Sequence, residues 1–143
     1  MTDYSEFIES ASSQPYWIID ILPGQVPAAR RQQYFEAEKH FTQEPQLSAI
    51  HRQFSNLMVK LGCYLDLVVV DDECLTVEGP LPAALARMFA SRRPFSMIIE
   101  HNVLLTYGGD DHYMTLYAPT PASLPHLTAL AAAQGLFLWR PPC

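Results

Sequence analysis

Residues 95–117 constrain the fold more than any other part of the chain. Three runs rich in β-branched, aromatic and other apolar residues, 95–100, 103–107 and 112–117, are separated by connections of only a few residues. A parallel pair needs a crossover of about a dozen residues or more, so these strands are expected to be antiparallel neighbours. Gly108-Gly109-Asp110-Asp111 suits the second turn, because glycine enters positive φ without a steric penalty. His101-Asn102 suits the first.

Helical and strand periodicity fills in the rest. Residues 2–13 carry Tyr4, Phe7, Ile8 and Ala11 at helical spacing, and 16–22 is an aromatic and β-branched run stopped by Pro23-Gly24. A helix after Pro27 places Tyr34, Ala37 and Phe41 on one face. Pro45 breaks it, and Leu47, Ile50, Phe54, Leu57, Met58 and Leu61 then form the clearest apolar stripe in the chain. Gly62 is expected as a left-handed terminator of that helix. A buried strand over 64–70, a short strand over 75–77 and a helix carrying Leu81, Leu85, Met88 and Phe89 follow. After the meander come a helix capped by Ser123, with Pro125 in its first turn, and a last strand over 136–139.

A chain of 143 residues with 49% hydrophobic residues can build one core without metal or disulfide staples. The expectation is a single α+β domain over 1–143. It has a mixed, mostly antiparallel sheet around the central meander, with helices packed mainly on one face. Cys63, Cys74 and Cys143 form no CxxC pair and read as two small core residues and one loose thiol. The first residues are acidic and lack a basic, then apolar, leader pattern, which predicts a cytoplasmic protein. A formal charge of −6 argues against nucleic-acid or anionic-membrane partners.

Four groups of residues have the chemistry of a site. Asp71, Asp72 and Glu73 at a strand end offer hard oxygen ligands for a divalent metal, with Asp20 as a second contribution if the strands are adjacent. Asp110, Asp111 and His112 on a hairpin tip could coordinate a metal or act as acid and base. Arg92 and Arg93, with Arg30 and Arg31, could recognise an anionic ligand. His40 and His51 could meet across packed helices, with Glu36 one turn before His40. Each group also has a plain structural explanation as a turn, a helix surface or a boundary residue.

No P-loop, GxGxxG, GxSxG or paired CxxC motif is present. The function expected from these features is therefore a non-catalytic binding or interaction domain without a cofactor. It would mask a protein partner or form a homodimer, with Tyr107, Tyr113 and Tyr117 as an aromatic contact patch. The alternative is a small metal-dependent hydrolase built on the Asp/His clusters, and a weaker one is an anion sensor using the arginines.

Overall fold

The computed structural model describes residues 3–142. The elements run α1 (Ser5–Ala11), β1 (Tyr16–Asp20), a 3₁₀ turn (Ala28–Arg30), α2 (Arg31–Phe41), α3 (Gln46–Leu61), β2 (Leu67–Val70), α4 (Leu81–Ser91), β3 (Phe95–Ile99), β4 (Val103–Tyr107), β5 (Tyr113–Tyr117), α5 (Leu124–Ala133) and β6 (Phe137–Trp139). The strands join one sheet of six in the order β2-β3-β4-β5-β1-β6, and every neighbouring pair is antiparallel. The class is α+β, with the meander at the centre of the sheet.

Strand alternation divides the side chains between two faces. Ile19, Met97, Ile99, Leu105, Met114 and Leu116 point to one face, where Phe54, Leu57 and Leu61 of α3, Leu85 of α4 and Leu127 of α5 cover them. Each such side chain contributes roughly 1.5–3 kcal/mol by leaving water, so this layer dominates stability. The opposite face is covered differently at its two ends. Val70, Ile98 and Leu104 lie under Ala11, with Phe7 and Ile8 of α1 and the preceding Tyr4 packed around them. The β5-β1-β6 end has no such helix across it.

Helix α2 has no fully buried residue. Phe41 leans on the main core, while Tyr34, Phe35 and Glu38 turn toward the second face and line a cavity there. Three helices, α3, α4 and α5, thus supply the main core, α1 covers part of the other face, and α2 stands beside the cavity.

Several local expectations change. Gly62 is right-handed, with φ of −61°, and a Cβ there would come 2.9 Å from Leu81 Cδ2, a close approach that the end of the Leu81 side chain would have to yield to. The left-handed terminator is Arg92 at the end of α4, with φ of 58°. Residues 75–77 form only isolated bridges, Val70 to Thr76 and Asp3 to Leu75, with the Val77 N–H donating to the Val69 carbonyl at 2.8 Å along the outer edge of β2. Ser123 occupies the capping position, but its hydroxyl bonds to Thr120 rather than to the helix. Cys63 is exposed and not a core residue, because it follows the last turn of α3; Cys74 is partly buried beneath α1. Cys143 lies outside the described residues. Among the described residues, no helix is long and apolar enough to cross a membrane.

Candidate functional site

The site begins with strand order. Because β1 lies beside β5, Asp20 at the end of β1 faces Tyr113 at the start of β5, and His112 stands one residue further on. His112 Nδ1 is 2.8 Å from Asp20 Oδ1, and the Ile21 N–H donates to the same oxygen at 2.7 Å. An ionised carboxylate only accepts, so Nδ1 carries the proton. His112 is 2% exposed and Asp20 5%.

The other ring nitrogen meets α2. Tyr34 and Glu38 are four residues apart and share a helix face. Glu38 Oε2 and the Tyr34 hydroxyl each lie 3.3 Å from His112 Nε2, and the two lie 3.2 Å from each other. One imidazole therefore bridges a sheet carboxylate and a helix carboxylate.

Burial is the largest influence on His112 and by itself would lower its pKa. The hydrogen bonds and negative charges of Asp20 and Glu38 together outweigh it and hold the pKa above the usual histidine range. Tyr34 is pushed up to about 12 by burial and by the Glu38 and Asp20 charges, so it keeps its proton. Burial, followed by the charges of Asp111, Glu38 and Asp20, also raises Tyr113.

This network closes one end of a cavity of about 750 Å³. Its floor is the second sheet face, with Tyr16, Ile18, Thr115, Tyr117 and Trp139. Its wall is Leu22, Val26, Pro27 and Ala28, followed by Arg31, Tyr34, Phe35 and Glu38 of α2. Volume, aromatic lining and a few converging polar groups are the usual attributes of a small-ligand site.

The residues singled out from the sequence are distributed over this frame. His112 belongs to the site, partnered by Asp20 rather than by Asp110 or Asp111. Asp110 sits 3.5 Å from Arg92, which also reaches Glu44 at 2.9 Å. Asp111 is half-buried beside Gly108, and burial raises its pKa. Arg93 is exposed and its N–H donates to Ser91 Oγ. Arg31 of the other arginine pair lines the cavity.

Asp71 accepts the N–H groups of Glu73 and Leu75, a turn-making role, and Asp72 and Glu73 are exposed. The 71–73 turn and the 108–112 hairpin do occupy one end of the sheet. β3 and β4 stand between β2 and β5, however, so three strand spacings, roughly 14 Å, separate β2 from His112. Among the described residues no three His, Cys, Asp or Glu side chains are grouped to hold a metal ion. In the network itself, Asp20 and Glu38 bond opposite nitrogens of one ring and do not converge on a common point.

The tyrosine patch is also redistributed. Tyr113 and Tyr117 line the cavity, but Tyr107 is 3% exposed and points to the opposite, core face. Its hydroxyl donates to the Asp111 carbonyl and lies 2.9 Å from His51 Nε2, while Phe89 stacks on the His51 ring. Burial and the nearby Arg92 charge lower the His51 pKa. His40 is exposed against Phe41.

Glu38 is the functional side chain that the sequence reading passed over. Its signal was present in the Arg31, Phe35, Glu38 spacing, a second stripe on α2 beside the Tyr34, Ala37, Phe41 stripe. Compared with family models, curated proteins and solved structures, the chain matches none.

Proposed function

We propose that this protein is a non-catalytic binding domain whose ligand seats in the cavity between the β5-β1-β6 end of the sheet and α2. The observation that carries this reading is the aromatic lining, Tyr16, Tyr34, Phe35, Tyr113, Tyr117 and Trp139, around about 750 Å³ of space. A non-catalytic role is supported by the state of His112: both ring nitrogens are engaged and the ring is buried, so it serves the wall of the cavity.

Trp139 lies in the lining and Trp17 packs against the main core, so a ligand perturbs one indole selectively. A neutral aromatic probe, N-phenyl-1-naphthylamine, is expected to change tryptophan emission saturably. Thr115 sits mid-floor, and Thr115→Phe should weaken that binding by roughly tenfold or more by filling the space. Trp139→Phe should remove most of the emission change. Non-saturable binding, or binding that Thr115→Phe leaves untouched, contradicts the reading.

A second reading, self-association, draws on β6. It is an edge strand, and its Phe137 is 43% exposed. An open edge beside an exposed aromatic is a template for pairing with another strand. Sedimentation at high protein concentration tests it: a concentration-dependent dimer supports it, and a strict monomer removes it.

A further inference from the structure

The Tyr34 hydroxyl stands nearly midway between two acceptors, 3.2 Å from Glu38 Oε2 and 3.3 Å from His112 Nε2. That geometry gives the network two alternative hydrogen-bond arrangements. With an imidazolium ring, the His112 Nε2–H and the Tyr34 hydroxyl both donate to Glu38. With a neutral ring, Asp20 keeps the proton on Nδ1, Nε2 becomes an acceptor, and the Tyr34 hydroxyl turns to it. Glu38 then loses both donors. Its carboxylate is left on the cavity wall, on the same helix face as Phe35 and near Tyr113.

Building on the binding-domain reading, we propose that the cavity takes an organic ammonium carried on an apolar body, with Glu38 as its counter-charge and His112 as the internal competitor for that carboxylate. A carboxylate among aromatic ring faces favours a cation, because the ring quadrupole presents negative potential to it. Asp20 in the lining adds a second negative group. Arg31 is seven residues before Glu38 on the helix, about 10 Å by helical rise, and so stands at the other end of the wall. The apolar body of the ligand has Ile18, Val26 and Trp139 to lie against.

Binding and protonation of His112 are then linked with a definite sign. The ionisable groups facing the ring are Asp20 from β1, Glu38 and Tyr34 from α2, Tyr113 from β5 and Asp111 from the hairpin. Acid keeps the imidazolium on Glu38 and weakens the ammonium's hold. As pH rises through the raised pKa of His112, Glu38 is released to the ligand.

The ammonium could be a free amine or the side chain of a basic protein partner, and the probes separate these. Calorimetric titration of the full chain uses benzyltrimethylammonium, whose charge is fixed, against neutral benzyl alcohol, anionic benzoate and a short lysine-containing peptide. At about pH 9 the cation is expected to bind roughly tenfold tighter than the alcohol, and at about pH 5.5 that preference should fall to near unity. Glu38→Gln should abolish the preference, so that the cation and the alcohol bind this variant equally at both pH values. Peptide binding with the same Glu38 dependence places the ammonium on a protein; cation binding without peptide binding places it on a small molecule. Equal affinity for cation and alcohol, or a preference indifferent to pH or to Glu38→Gln, overturns the ammonium assignment and leaves the cavity's binding role standing. Absence of binding by every probe, N-phenyl-1-naphthylamine included, overturns both.

Discussion

Asp20→Ala costs about 3–5 kcal/mol of stability near pH 5.5 and about 1–3 kcal/mol near pH 9. The larger figure is the usual consequence of removing one partner of a buried ion pair. The smaller is that of stranding a buried neutral donor, here the Nδ1–H of His112. The difference follows from linkage. His112 has a raised pKa in the fold, so its favourable protonation is fully present below the ordinary histidine value and is lost as pH rises through the folded value. His51 has a lowered pKa, and its contribution runs the other way, growing as pH rises through the ordinary value. Asp20→Ala removes the larger share of the first effect, leaving only Glu38 to oppose burial, and leaves the second untouched. Urea denaturation of both proteins across this range should show their stabilities converging at high pH. A gap that is constant or widens toward alkali contradicts the pairing of Asp20 with His112.

Phe54→Ala has the other large effect, about 3–5 kcal/mol, the range for emptying the space of a fully buried phenylalanine. Phe54 is completely buried, and its ring centroid lies 5.9 Å from that of Tyr107. Tyr107 in turn meets Phe89, Phe95 and His51. This cluster joins α3 and α4 to β3 and β4, so the loss should appear as global destabilisation in denaturant, with the probe affinity of the cavity on the far sheet face within roughly twofold of wild type in the remaining folded protein. A cost below about 1 kcal/mol contradicts the placement of Phe54 at the centre of the core.

These two residues also mark what was legible in the sequence. Phe54 belongs to a stripe whose period alone identifies a buried helix face, and the meander follows from connection lengths. The order of elements was therefore readable, with differences of a few residues at their ends. Asp20 was visible as a polar residue inside an apolar strand, but its partner was not. Pairing it with the 71–73 turn assumes β1 next to β2; the sheet instead places β1 next to β5, and residues 92 apart in sequence become bonded.

Tyr107 shows the same limit in another form. The three tyrosines look equivalent as aromatic residues near a turn, yet Tyr107 ends β4 on the core face while Tyr113 and Tyr117 alternate on the other. Which face a strand residue takes depends on register with its neighbours, and a single sequence does not state it. Glu38 needed knowledge of where α2 docks. The Arg31, Phe35, Glu38 stripe gives it a helix face but not what that face meets, because α2 buries none of its residues fully.

The bridging imidazole is the point on which the link between the sheet and α2, and the ligand chemistry of the cavity, both rest. Nitrogen NMR of His112 followed through a pH titration observes it directly. The expected result is a neutral form protonated on Nδ1, an apparent pKa above the ordinary histidine value of about 6.5, and a shift of that pKa downward in Glu38→Gln. A neutral form protonated on Nε2, titrating at or below the ordinary value and indifferent to Glu38, would show that the ring does not join the sheet to α2.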